Sequence, residues 1–254
     1  MIIRGVTIRE GELAIHGKWY MDGRDEKLPT VIICHEFGTN MRFTGRYAQM
    51  LCRQGYAVFC FDFCGSESGT SQGRKSTEMS VTTEVVDLLV VLDYVESRPF
   101  VNTDAVFLMG CSQGGLVASL AAEKRKDEVR KLVLYYPALS IPDDARNGSM
   151  LGAVFNGDEI PESFKVLNDK FRVGKRYVAD AIKLSEWREM MRYKNPVLIV
   201  HGTEDELVDI DYARKAAKIF PNATLVEIEG GKHLFPTLKE RKIAVEAAIR
   251  FLWE

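Results

Sequence analysis

The order of hydrophobic and polar positions changes period along this chain, and each change marks an element. Around Glu10-Gly11 the period is two: Val6, Ile8, Leu13, Ile15 and Trp19 alternate with Thr7, Arg9, His16 and Lys18. That alternation predicts an antiparallel hairpin at a sheet edge, with His16 exposed on its polar face. From residue 30 onward short apolar runs take over, at 30–34, 56–61, 106–110, 131–136 and 196–202, with a weaker one at 223–229. Such runs belong to strands buried on both faces. Helical patterns stand between them at about 42–54, 81–95, 116–122, 211–220 and 239–253. In the last of these, Ile243, Ala244, Ala247, Ala248, Phe251 and Leu252 share one stripe, as expected of a helix laid on a core.

Strand and helix thus alternate from residue 30 to the end, which predicts an α/β fold: a mostly parallel sheet with helices on both faces, preceded by the antiparallel hairpin. Residues 1–254 read as a single domain. The rhythm lapses over 138–195, where Met150, Leu151, Phe155, Phe164, Phe171, Tyr177, Trp187, Met190 and Met191 follow no period. A connection this long inside an α/β unit is ordinarily a functional insertion, and a small lid over a site is expected here. The plainer reading is a helical pair that only adds stability.

Composition removes several function classes. Hydrophobic residues make up 46% and charged ones 28%, and the formal net charge is −2 with both signs scattered. No basic stripe exists to neutralise phosphates, so nucleic acid is not an expected partner. No apolar run is long enough for a membrane span and the first residues lack a leader's apolar core, so no membrane partner is expected and the cytoplasm is the expected compartment. The cysteines, Cys34, Cys52, Cys60, Cys64 and Cys111, are five, and an odd number within strands and helices reads as reduced core thiols. The Gly/Ser-rich stretch 62–73 lacks both the lysine of a phosphate loop and the G-x-G-x-x-G spacing, and reads as a turn-rich connection.

The strongest chemical signal is Gly110-Cys-Ser112-Gln-Gly114, set between the apolar run 106–110 and the helix-forming run 116–122. A strand that reverses into a helix within three residues forces the central serine into a strained conformation, tolerated only where its neighbours nearly lack side chains. Gly110 and Gly114 meet that need. Ser112 is then the expected nucleophile, with the new helix aiming backbone N–H groups and a positive dipole at the same spot. Cys111 is expected to be a buried part of the turn.

A serine hydroxyl needs a base within hydrogen-bond reach and an acid that orients the base. In this fold class the chain order is nucleophile, acid, base. His35 precedes Ser112, and His201 is built into a strand end before Gly202, whereas His233 sits in the glycine-rich loop Glu229-Gly-Gly-Lys-His. His233 is therefore the expected base. Among Glu204, Asp205, Glu206 and Asp209, Asp205 follows the turn after Gly202 most directly and is the expected acid, with Asp209 next. The oxyanion donors are expected to be the backbone N–H groups of Gln113 and of Phe37, the latter in the loop after 30–34. No tight H-x-x-x-H or C-x-x-C spacing occurs, so neither a metal nor another cofactor is expected.

Gly110-Cys-Ser-Gln-Gly114, His201-Gly-Thr-Glu-Asp205 and Gly230-Gly-Lys-His233 together resemble the α/β-hydrolase superfamily over nearly the whole chain. Within it the chain resembles the bacterial cinnamoyl or feruloyl esterases, through His35-x-Phe37, Asp62-Phe-Cys-Gly65, Asp144-Ala-x-x-Gly148, Ile160-Pro161 and Val173-Gly-x-x-Tyr177. That resemblance implies a serine carboxylesterase whose lid roofs a pocket for an aromatic acyl group. It places Asp144 and Tyr177 where the family contacts phenolic ring substituents, and Phe155 and Tyr177 are expected to line the acyl pocket. The chain departs from the family at Glu36, Ser66 and Leu151, where glycine, histidine and a polar residue are usual. The expected partner is a small-molecule ester, and homo-oligomerisation is left open. Acylglycerols, thioesters and short peptides suit the same machinery, and a non-catalytic ligand-binding member is the reading from another class.

Overall fold

The computed structural model describes residues 1–24, 26–155 and 159–254. Strands β1 (Ile2–Glu10) and β2 (Leu13–Met21) pair antiparallel, with Glu10 opposite Leu13 across a tight turn. Gly11 supplies the positive φ of 55° that this turn requires. The hairpin's alternation holds, but His16 is half-buried rather than exposed. The 62–73 loop folds back on β2, where Ala14 and Gln72 exchange backbone hydrogen bonds of 3.1 and 2.9 Å.

Next come β3 (Leu28–Cys34), α1 (Met41–Arg53), β4 (Ala57–Phe61), α2 (Val81–Glu96), β5 (Val101–Cys111), α3 (Gln113–Lys124) and β6 (Val129–Tyr135). The connection that follows contains α4 (Ile141–Arg146), a ribbon of β7 (Ser149–Met150) with β8 (Ala153–Val154), a ribbon of β9 (Ser163–Val166) with β10 (Phe171–Gly174), then α5 (Lys175–Ile182) and α6 (Glu186–Met190). The chain closes with β11 (Val197–Gly202), α7 (Ile210–Ile219), β12 (Ala223–Ile228) and α8 (Leu238–Trp253).

Eight strands form one sheet in the order β1-β2-β4-β3-β5-β6-β11-β12, in which β3 to β6, β11 and β12 are parallel. The unbroken hydrophobicity of these strands follows from two-sided burial. On β3, Ile32 feeds the layer holding Leu88, Leu92 and Leu116, while Val31 and Ile33 feed the opposite layer with Ala48, Leu51, Ala244 and Ala248. Each such aliphatic side chain taken from water contributes about 1.5–3 kcal/mol. The insertion shares the first layer: Ile141, Met150, Val166, Val173, Tyr177 and Met190 are buried in it. These six buried residues anchor the insertion to the sheet's helical layer. Among the described residues no helix is long and apolar enough to cross a membrane, and all five cysteines are buried free thiols.

Candidate active site

Ser112 stands between the end of β5 and the first residue of α3 with φ 51° and ψ −120°, a conformation that costs a non-glycine residue roughly 1–3 kcal/mol. Its neighbours make room. A Cβ on Gly110 would lie 2.2 Å from the Gly114 carbonyl oxygen, and one on Gly114 would lie 2.5 Å from that of His35. Cys111 is fully buried, and that burial pushes its thiol pKa well up, so it is an inert wall of the turn.

The Ser112 Oγ lies 3.0 Å from His233 Nε2, and His233 Nδ1 lies 2.7 Å from Asp205 Oδ2. The Asp205 carboxylate is fully buried, yet its Oδ1 accepts the N–H groups of Leu207 and Val208 at 2.9 and 3.0 Å. Burial works to raise its pKa, but hydrogen bonds from His201 and His233 outweigh that and hold the carboxyl far below the usual range. Asp209 is absent from this arrangement because its side chain caps α7, accepting from Asp211 N–H at 2.9 Å. The acid and base loops are pressed together: a Cβ on Gly202 would lie 2.1 Å from the Gly231 carbonyl oxygen.

Four side chains around this line, His201, Tyr136, Glu36 and His35, carry no sequence signal of their role. His201, fully buried, points Nε2 at the Val208 carbonyl at 3.0 Å and at Asp205 Oδ2 at 3.1 Å, while its Nδ1 has no partner among the described residues. Two acceptors around Nε2 place the proton there. The Tyr136 ring lies 4.8 Å from the His233 ring, and its hydroxyl donates to Glu36 Oε1 at 2.9 Å. Glu36 is itself buried, its Oε2 accepting from Thr39 Oγ1 at 3.0 Å. His35 is a brace: Nδ1–H donates to the Glu36 carbonyl at 2.8 Å, and Nε2 accepts the Phe63 N–H at 3.1 Å. This fastens the loop after β3 to the loop after β4. The backbone N–H groups of Phe37 and Gln113 meet no acceptor among the described residues, which leaves both able to receive an incoming oxygen.

Ser112 and His233 open on a cavity of ≈ 530 Å³, whose walls include Phe37, Ile141, Leu151, Val154, Leu167 and Leu207. Its carboxylates are Glu36, Asp144 and Glu206, and its described lining holds neither lysine nor arginine. Asp144 therefore faces the site. Tyr177 does not: it is fully buried behind the wall, with its hydroxyl donating to Gln113 Oε1. Phe155 is likewise outside the lining, its ring packed 6.1 Å from Phe164. Of the insertion's aromatics, Phe155 and Phe164 pack on each other and Phe171 and Tyr177 pack on Phe37, while Leu151, Val154 and Leu167 face the cavity. Residues 156–158 of the expected lid lie outside the described residues.

A family model described as serine aminopeptidase, S33, matches residues 25–172, and a second described as α/β hydrolase fold matches residues 169–239. The α/β hydrolase domain-containing protein WAV2 of Arabidopsis thaliana is 27% identical over 235 residues, covering 88% of this chain and 70% of that protein. Human protein ABHD12B is 27% identical over 210 residues, covering 81% of this chain and 53% of its own length. Est1E from Butyrivibrio proteoclasticus superposes with a TM-score of 0.87 at 26% identity over 98% of this chain and 97% of Est1E. Est1E with ferulic acid bound gives a TM-score of 0.90 at 28% identity, over 98% and 100% of the two chains.

Proposed function

The chain belongs to the α/β-hydrolase superfamily, in the serine aminopeptidase S33 family, and we propose that it is a serine carboxylesterase acting through an acyl-enzyme on hydroxycinnamate esters. The observation that carries this reading is the hydrogen-bonded line Ser112–His233–Asp205 at the floor of a cavity. His233 Nε2 takes the hydroxyl proton as Ser112 Oγ attacks the ester carbonyl, and Asp205 holds the resulting imidazolium. The carbonyl oxygen, now negative, is met by the N–H groups of Phe37 and Gln113. Collapse expels the alcohol, which leaves with the proton from His233; the same imidazole then activates water to release the acid.

The acyl group is argued from the wall and the neighbour. Est1E binds ferulic acid. Here Asp144 is half-buried at the cavity, and burial raises its carboxyl pKa against the opposing hydrogen bond from Ser140. A carboxyl with raised pKa exchanges hydrogen bonds with a phenolic oxygen in either protonation state. In this reading the insertion is a lid whose Leu151, Val154 and Leu167 flank the ring.

One observation favours a second substrate class: Glu36, Asp144 and Glu206 face the cavity, and its described lining holds neither lysine nor arginine, which suits a cationic amine such as a peptide N-terminus. A single panel separates the two: methyl hydroxycinnamates, alkyl nitrophenyl esters, monoacylglycerols and aminoacyl nitroanilides, with Ser112→Ala as control. The expected result is preference for methyl hydroxycinnamates and a loss of about 10⁴–10⁶ in kcat for Ser112→Ala. Preference for the nitroanilides would move the assignment to the amine class, and full ester turnover by Ser112→Ala would sink both.

A further inference from the structure

We infer that Tyr177 is a positioning residue for the oxyanion hole, holding Gln113 by its hydroxyl and Phe37 by its ring. The inference rests on the esterase reading above. Gln113 follows the nucleophile and opens α3, so its backbone N–H is aimed by whatever fixes the residue. Its side chain is buried and cannot touch a substrate. Both ends of the amide are occupied: Oε1 accepts from the Tyr177 hydroxyl, and Nε2 donates to Glu84 Oε2 at 2.7 Å. A hydroxyl at one end and a carboxyl at the other hold the amide at both ends. Glu84, on α2, is buried with it.

The other proposed donor belongs to Phe37, and the same tyrosine reaches it. The Tyr177 and Phe37 rings meet edge to face at 5.7 Å and 73°, and Phe171 of β10 meets Phe37 at 5.7 Å and 74°. The segment bearing Tyr177 is itself pinned. Ser80 Oγ, at the start of α2, donates to Asp180 Oδ2 of α5 at 2.6 Å, and a Cβ on Gly174 would lie 2.0 Å from the Thr77 carbonyl oxygen. The insertion thus grips both residues whose N–H groups face the developing charge. Buried polar chains of this kind are costly unless every member is satisfied, and here they fix geometry that an apolar contact would leave free.

Displacing such a donor acts on the transition state and spares the ground state, so the loss falls on kcat. The test compares wild type with Tyr177→Phe, Glu84→Ala and Glu84→Gln for kcat and KM on methyl hydroxycinnamates, rate of fluorophosphonate labelling, and Tm. Tyr177→Phe is expected to lower kcat and the labelling rate about tenfold, with KM within about twofold and Tm within a few degrees. Glu84→Ala is expected to match it and not to add to it in the double variant, while Glu84→Gln, which keeps an acceptor for Nε2, recovers most of the loss. The inference is overturned if Tyr177→Phe leaves kcat and labelling unchanged, if the loss falls on KM alone, or if it tracks a drop in Tm. A wild type that neither turns over esters nor labels overturns the esterase reading and this inference with it. A wild type that does both, beside an unaffected Tyr177→Phe, overturns only the inference.

Discussion

The strand ends that carry Ser112, Asp205 and His233 and the insertion between β6 and β11 face one cavity, yet they are built on opposite terms. At the strand ends each side chain follows a strand directly and is fixed by backbone: the elbow by glycine contacts, Asp205 by two N–H groups, the His233 loop by the approach of Gly231 to Gly202. In the insertion the elements are short, four of them strands of two to four residues, and they are placed by buried apolar anchors. Geometry set by backbone tolerates almost no change. A wall set by packing tolerates substitution of whatever faces the cavity. In the proposed esterase, reaction then rests chiefly on the strand ends, with Tyr177 as the insertion's link to them, and selectivity on the wall.

A pair of glycines puts the largest strain on that contrast. Gly114→Ala would drive a Cβ into the backbone carbonyls of His35 and Cys34 at 2.5 and 2.6 Å, with nothing flexible to give way. It is expected to destabilise by about 1–3 kcal/mol or more and to cut kcat by about 10³ through displacement of Ser112. Gly152→Ala, in the insertion, meets nothing within 4 Å among the described residues and carries the strain of its φ of 86°, about 1 kcal/mol. Denaturant melts and kcat for the two variants check this. Equal effects would erase the distinction.

His201 tests whether backbone alone fixes the acid. Its Nε2–H faces Asp205, but its buried Nδ1 is unpaired among the described residues, a penalty of about 1–3 kcal/mol. A residue kept for packing would not need that nitrogen. His201→Phe is expected to lower kcat by about 10–100-fold, while His201→Gln, which can place an amide N–H near the same point, loses less. If Phe and Gln variants behave alike, the strand end needs no side-chain support.

On the insertion side, Leu151→Ala enlarges the wall without touching Ser112 or its partners. The expected change is a shift of about 3–10-fold in kcat/KM between aryl and longer alkyl esters, from the loss of one apolar contact, with fluorophosphonate labelling unaltered. A fall in labelling equal to the fall in ester turnover would place Leu151 with the reaction machinery instead.

The same division decided what could be read from the sequence. Gly110, Gly114 and the chain order of Ser112, Asp205 and His233 record local backbone needs, and local needs leave marks on neighbouring residues. The parallel sheet left its mark in the unbroken runs for the same reason. Tyr177, Tyr136 and Glu36 owe their positions to elements far away in the chain, so their spacing carries nothing. Resemblance set Tyr177 against the substrate, but its burial and its bond to Gln113 put it behind the wall. Phe155 failed as a lining residue because an aromatic in an irregular segment serves an anchor as readily as a pocket. His16 was misplaced because period-two reading cannot see the 62–73 loop that covers β2.

Glu84 gives the smallest effect, and it lies where the two regions join. Burial pushes its carboxyl pKa up to about 8, with Asp87 adding to the rise and the hydrogen bond from Gln113 and the charge of Arg74 opposing it. Cys34 and Tyr177, its other titratable neighbours, are also raised by burial, and Asp87, raised to about 6 by burial against its pairing with Arg74, stays the same in wild type and variant. A free glutamate titrates near about 4.3. From there to about 8 the unfolded chain has released a proton that the folded chain keeps, so stability falls as pH rises, and it levels off above the folded value. Glu84→Gln has no proton to keep. Its Tm should be close to wild type at pH 5 and exceed it at pH 8, by a difference on the order of 1–3 kcal/mol or roughly 2–10 °C. A gap that stays constant across that window would mean the folded chain carries Glu84 as the carboxylate, and that the amide of Gln113 is held by a charge.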